Sequence, residues 1–321
     1  MATERVKLLF DGDEPQRLDR FLAGALARFS RSYMRRIIAA GNVTVDGRPA
    51  KPSRLLRGGE EIEVQAPPPR RLDAEPEPMP LRVLYEDEHL IVVDKPPGMV
   101  VHPAPGHPNG TLVNGLLAHC RDLSGIGGAL RPGIVHRLDI GTSGAIAVAK
   151  SDEAHRGLAE QFKDRAVEKR YAAVVFGLPH ADEGLVEVAI GRDRRNRKKI
   201  SAASDRPREA VSSYSVVERF GELAHLSVQL QTGRTHQVRV HMAHIGHPLV
   251  GDSLYGGARW RSLGDPGLRT LARSFGRPAL HAELLAFRHP LSGRRLEIRA
   301  PLPPDLVGLL SALRVRVRAP R

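Results

Sequence analysis

The setting of one acid points to chemistry. Asp139 follows two basic side chains in His136-Arg137-Leu138-Asp139 and precedes the turn Gly141-Thr142-Ser143-Gly144, after which Ala145 to Ala149 form an apolar run of strand length. Two readings stay open. A carboxylate on irregular backbone at the mouth of a strand can be aimed at a ligand, and the same residue types make an ordinary Asx turn. Three further stretches hold polar groups that packing alone does not require. They are Glu168-Lys169-Arg170-Tyr171-Ala172, where a tyrosine opens an apolar strand; Thr232-Gly233-Arg234-Thr235-His236-Gln237-Val238-Arg239-Val240-His241, a glycine turn into a helix; and Lys95-Pro96-Pro97-Gly98 with His102. In the second, Arg239 borders the apolar stripe of Val238, Met242 and Ile245 and needs a carboxylate partner, for which Asp139 is the expected choice. Other chemistries fit poorly. Gly141-Thr142-Ser143-Gly144-Ala145 lacks the last glycine of a nucleophile elbow. His236, His241, His244 and His247 have no His-Glu-x-x-His spacing and no acid cluster, so helix packing explains them and no metal is expected.

These residues must be positioned by a large domain preceded by a small one. Val6 to Phe10, Asn42 to Val45 and Glu61 to Val64 read as short strands, the second ending in an Asp46-Gly47 turn. Between them lie an amphipathic helix with apolar residues at 18, 21, 22, 25 and 26, and a helix from Arg31 to Ala40 with Ser30 as its N-cap and Gly41 as its stop. Arg31, Arg35 and Arg36 make that second helix basic, so residues 1–66 read as a small phosphate-binding module. Residues 67–80 read as a semi-rigid proline-rich linker. From residue 81 onward the expected strands are Leu90 to Val93, Val100-Val101, Ala145 to Ala149, Tyr171 to Phe176, Val186 to Ile190, Ser212 to Val217 and Leu223 to Leu230. Helices are expected at 111–119, 153–162 and 305–313, and Gly125 to Gly128 reads as a connection without a phosphate-loop pattern. Short strands without regular β-α alternation predict an α+β domain over 81–321 with a mixed, largely antiparallel sheet.

Composition narrows the partners. The chain has 49 Lys and Arg against 36 Asp and Glu, a formal charge of +13, and Arg192, Arg194, Arg195, Arg197, Lys198 and Lys199 crowd one loop. Such an excess points to a polyanion, with that loop as phosphate contact. The single Cys120 excludes a disulfide framework and any cysteine-based zinc site. No apolar run is long enough to cross a bilayer and the first residues lack a signal-peptide core, so a cytoplasmic protein is expected; the sequence is silent on oligomeric state, and a monomer is the default expectation.

RLDRFLAGAL, followed by SRSYMRRIIAAGNVTVDGRPAKPSRLLRGGEEIEV, resembles the small RNA-binding domain first recognised in a small-subunit ribosomal protein and shared with tyrosyl-tRNA synthetases. Behind it, HLIVVDKPPGMVVHPAPG, HRLDIGTSG, KRYAAVVFG, LQTGRTHQVRVHMAHIGHPLVGD and ALHAELLAFRHP occur in order, and together they resemble the RluA/RluD family of pseudouridine synthases. The resemblance implies isomerisation of uridine to pseudouridine in RNA without cofactor or metal. It implies Asp139 as the catalytic acid, acting either as nucleophile on the sugar carbon or as base at the 2′ position, and Arg239 as its basic partner. Tyr171 is implied to stack on the uracil and to serve in proton removal at carbon 5, and Arg137 to fill the space left by a flipped-out base. His136, Thr142, Arg234 and His236 are the expected support or RNA contacts of the site. An N-terminal RNA-binding module implies the branch of the family that acts on large-subunit ribosomal RNA. The rival reading is a non-catalytic RNA-binding factor for ribosome assembly.

Overall fold

Alternation and capping build the first unit of the computed structural model, which describes residues 4–26, 31–66, 74–104, 106–120, 123, 132–194, 196 and 199–318. The described residues up to 66 and those from 74 onward belong to two separate compact units. In the first, β1 (Glu4–Phe10) pairs antiparallel with β4 (Glu60–Ala66), which also carries β2 (Val43–Val45), itself paired with β3 (Arg48–Pro49). The Asp46-Gly47 turn takes positive φ at both residues, 50° and 72°, the geometry a two-residue hairpin needs. Helices α1 (Leu18–Ala25) and α2 (Arg31–Ala39) bury Leu18, Leu22, Met34, Ile37 and Ile38 against Phe10, Val43, Val45, Ile62 and Val64. Gly41, at φ 80°, ends α2 as expected: Asn42 N–H donates to Ile37 O and Gly41 N–H to Ile38 O. Ser30, the expected N-cap, lies outside the described residues.

The second unit is built on a nine-stranded sheet. Its strands are β5 (Val83–Glu86), β6 (Leu90–Lys95), β7 (Ser143–Ala149), β8 (Glu168–Phe176), β9 (Glu183–Glu187), β10 (Val211–Phe220), β11 (Leu223–Leu230), β12 (Leu280–Arg288) and β13 (Arg295–Arg299). The order is β9-β10-β11-β8-β12-β7-β6-β5, with β13 also on β12. Every pairing is antiparallel except β7 with β12, so the expected mixed, largely antiparallel α+β architecture is found. Helices α3 (Leu112–His119), α4 (Asp152–Lys163), α5 (Gln237–His244), α6 (Pro266–Ser274) and α7 (Pro304–Arg318) complete it. Strand β7 is buried along its whole length, which is why it reads as a continuous run of small and β-branched residues rather than an alternation.

The parallel pair positions the site. Ser143 and Gly144 lie opposite His281 and Ala282, and Ala282 on its other side lies opposite Tyr171. Asp139, on the loop entering β7, is thereby drawn toward the middle of β8. Gly144 has φ 117°, and a Cβ there would come within 2.3 Å of the Ala282 carbonyl oxygen, so only glycine permits this approach.

Four expectations are corrected. Val100-Val101 is not a strand: the two carbonyls instead accept from Leu112 N–H and Val113 N–H, satisfying the first free donors of α3. The strand expected over Val186 to Ile190 runs Glu183–Glu187, because Ile190 leaves the sheet to exchange hydrogen bonds with Arg208. Tyr171 does not open its strand but sits within β8, beside a register shift between Arg170 and Tyr171. Of the proline-rich stretch, residues 74–80 are tied to the second unit, with Glu77 N–H donating to Asn114 O and Asn114 Nδ2 to Glu75 O. Residues 67–73 and 124–131, which include Gly125 to Gly128, lie outside the described set.

Candidate active site

Asp139, Arg137, Thr142, Tyr171, Arg234, His236 and Arg239 line one cleft, together with Leu138, Leu230, Gln237, Val238 and Leu280. The sequence stretches that carry them are far apart, and the sheet brings them together. The Asp139 loop is held from below. His136 Nε2 accepts from Ala147 N–H at 2.9 Å and its ring stacks on Phe162 at 4.5 Å. Burial pulls the His136 imidazole down to about 3, so it stays neutral and able to accept. Thr142 N–H donates to Asp139 O, closing the turn. Arg137 is exposed at the rim.

The opposite wall is the turn into α5. Gln237 Oε1 accepts from the Thr232 hydroxyl and from Arg234 N–H, while its Nε2 donates to Val211 O and Ser212 Oγ. This buried network fixes where α5 starts, and Arg239 follows from it. His236 stands in the left-handed region at φ 57° just before the helix, a conformation that a non-glycine residue adopts only under constraint.

The guanidinium of Arg239 is the hub. Its Nη1 donates to Asp139 Oδ2 at 3.2 Å, as expected, but its principal partner is Asp252, which takes Nε at 2.6 Å and Nη2 at 3.0 Å. The expectation of Asp139 as the partner is therefore corrected to a shared cation with Asp252 as the bidentate anchor. Burial works against the Arg239 cation, yet Asp252 and Asp139 together hold its pKa above the ordinary arginine value. Asp252 is spent on holding: besides Arg239 it accepts from Leu254 N–H and Tyr255 N–H. Asp139 keeps free lone pairs toward the cleft. Tyr171 faces the same space, its phenol pushed up by burial and by the Asp139 charge, so it is held protonated.

Asp252, Tyr255 and Lys95 are features the sequence reading left unassigned or described only as part of a turn. Gly251-Asp252 with Tyr255, close behind Arg239, resembles an ordinary Asx turn, and the turn it makes is real; the signal was the second acid after a core-bordering arginine. Tyr255 packs its ring under Arg239, 5.0 Å away. Lys95 is fully buried, donating to Pro96 O and Met99 O, and burial pulls it down to about 7.

The expected RNA contacts outside the cleft are placed as follows. Arg194 pairs with Asp205 at 2.5 Å, both exposed, and Lys199 sits 5.3 Å above the Tyr255 ring. The short hairpin Gly191–Arg192 with Ile200–Ser201 meets Tyr255, whose hydroxyl also contacts His236 of the cleft lining. Arg195, Arg197 and Lys198 lie outside the described residues, as does the side chain of Arg31. In the first unit Arg35 is exposed near Asp19 at 3.9 Å, and Arg36 lies 5.2 Å over the Tyr33 ring. Among the described residues no cluster of His, Cys, Asp and Glu is arranged to hold a metal ion, and no helix is long and apolar enough to cross a membrane.

Comparison with known proteins agrees with this architecture. Residues 89–244 match the profile of the family described as RNA pseudouridylate synthase, and residues 16–62 match that of the S4 domain. The chain is 45% identical over 299 residues to "Uncharacterized RNA pseudouridine synthase YlyB" of Bacillus subtilis, covering 93% of this chain and 94% of that protein. It is 45% identical over 305 residues to "Ribosomal large subunit pseudouridine synthase D" of Xanthomonas campestris, covering 95% and 91%. Among solved structures it resembles "Human RNA Pseudouridylate Synthase Domain Containing 4", with a TM-score of 0.55 and 25% identity over 73% of this chain and 93% of that one.

Proposed function

The chain belongs to the RNA pseudouridine synthase family, and from that premise we propose that it converts specific uridines of large-subunit ribosomal RNA to pseudouridine, with Asp139 as the reacting group. The observation that carries this reading is a carboxylate at the cleft, bonded to Arg239 at 3.2 Å, while Asp252 takes the bidentate share of that cation. A protein that only bound RNA would gain nothing from a carboxylate facing a polyanion.

The reaction breaks the bond between the sugar carbon and uracil nitrogen 1, turns the base, and joins carbon 5 to the sugar, with carbon 5 losing a proton and nitrogen 1 gaining one. Asp139 serves as nucleophile at the sugar carbon or as base at the 2′ position, and a single oriented carboxylate suffices for either. Arg239 orients it through a charge-assisted bond. Tyr171, with its phenol held protonated, is better suited to stack on the uracil than to abstract a proton. A base held in a stack cannot reach Asp139, so it enters the cleft as a flipped nucleotide, past the mouth where Arg137 stands exposed. His136 braces the loop, and Thr142, Arg234 and His236 complete the walls. Residues 1–66, carrying the S4 match, supply a second RNA contact through Arg31, Arg35 and Arg36, and the enzyme works in the cytoplasm where ribosomes are made. The names of relatives such as the Xanthomonas protein support large-subunit RNA as substrate.

Pseudouridine mapping of ribosomal and transfer RNA from cells lacking the protein, complemented with wild type or Asp139→Asn, tests this. Loss of specific large-subunit sites, restored by wild type and not by the variant, is the expected outcome. Full modification by Asp139→Asn would refute the assignment.

A further inference from the structure

The hydroxyl of Tyr255 stands between the basic hairpin and the cleft. Its oxygen accepts from Ile200 N–H at 3.0 Å on the hairpin and lies 2.8 Å from Nδ1 of His236, whose Nε2 is 3.8 Å from Oδ2 of Asp139. The same ring carries Arg239 at 5.0 Å and Lys199 at 5.3 Å. Ile200 N–H can only donate, so the phenol oxygen accepts there and keeps its own proton to give to Nδ1 of His236; in that arrangement the imidazole proton sits on Nε2, the nitrogen facing the carboxylate. Burial lowers the pKa of His236 while Asp139 raises it and Arg239 lowers it; Asp252 and Arg137 are the other charges acting on the ring. Burial, the largest of these influences, favours the neutral ring, and the His236 backbone stands at φ 57°.

We propose that Tyr255 is a positioning residue for the isomerisation: it fixes the His236 imidazole beside Asp139, and through Ile200 it makes that placement depend on how the basic hairpin is seated on RNA. The inference rests on the isomerase reading above. Two sensors converge on one ring, because Lys199 belongs to the phosphate-contacting loop and Arg239 to the catalytic acid. The hairpin is closed on itself by Asp193 N–H donating to Lys199 O and Lys199 N–H to Asn196 O, and Ile200 follows Lys199 directly in the chain.

The test is steady-state kinetics of the full chain on a large-subunit RNA transcript for wild type, Tyr255→Phe, His236→Ala and the double variant, with Ile200→Pro alongside. Tyr255→Phe keeps the ring for both cations and deletes only the hydroxyl. It is expected to lower kcat roughly fivefold to tenfold, the worth of one hydrogen bond, with KM and RNA affinity unchanged. In the His236→Ala background the same change should have no further effect, since both act through one path. Ile200→Pro, which deletes the hairpin donor, should lower kcat by the same factor. An unchanged kcat for Tyr255→Phe, a rise in KM alone, or losses that multiply in the double variant would overturn the relay. A wild-type protein that forms no pseudouridine in ribosomal or transfer RNA would instead overturn the isomerase reading and the relay with it.

Discussion

Arg239 is held by two acids that are not equivalent. Asp252 is 1% exposed and makes both short contacts, whereas Asp139 is 15% exposed and takes a single longer one. On the proposed mechanism one acid holds and the other reacts. Asp252→Asn should therefore cost activity without touching the reacting group: we expect kcat to drop at least tenfold with little change in KM, and stability to fall by about 3 kcal/mol because a buried cation loses its main partner. Urea unfolding and single-turnover rates measure the two separately, and an active, undiminished variant would make the pair merely ornamental. At this scale the sequence pointed to Arg239 through its place beside an apolar stripe, whereas Asp139 kept two readings and Tyr171 an ordinary place in a strand, and the roles of both came from the family resemblance. It was silent on Asp252 because an acid after glycine has a sufficient local reason to be there, in the turn to Leu254 and Tyr255.

Two glycines show what an element can and cannot reveal about itself. Gly41 follows a helix with a clear apolar face, and its role as the left-handed stop of α2 depends only on its own segment. Gly144 lies in β7, and what demands it is the backbone of Ala282 on a strand far along the chain. Gly41→Ala should cost about 1 kcal/mol, the penalty of a positive φ in open space. Gly144→Ala should cost at least about 3 kcal/mol and displace Asp139 with the strand. Denaturant midpoints for the two variants check the contrast; equal losses would show that the parallel pair yields more easily than its geometry implies. The same distinction explains the strand errors. Val100-Val101 has the composition of a strand, and only the neighbouring start of α3 claims its carbonyls.

At the scale of the whole molecule, six of the basic residues behind the +13 charge crowd the segment Arg192 to Lys199, the proposed phosphate contact. Exposed pairs such as Arg194 with Asp205 are worth little in themselves and can exchange for phosphates. Neutralising Arg194, Arg195, Arg197, Lys198 and Lys199 together should weaken RNA binding and flatten its salt dependence by about 0.7 in the logarithmic slope per lost phosphate contact. Titration of RNA affinity against salt decides it, an unchanged slope meaning that the loop is solvated surface. By itself the sequence determined the class of fold, the basic excess and the helix stop at Gly41, because periodicity, charge and turn chemistry are local properties written into neighbouring residues; the role proposed for Asp139 came from the ordered family motifs. Only the tertiary structure decided which acid anchors Arg239, why Gly144 must be glycine, and that Tyr255 joins the hairpin to His236. Each of those depends on groups from separate strands and loops meeting within hydrogen-bond distance, and no local pattern encodes such a meeting.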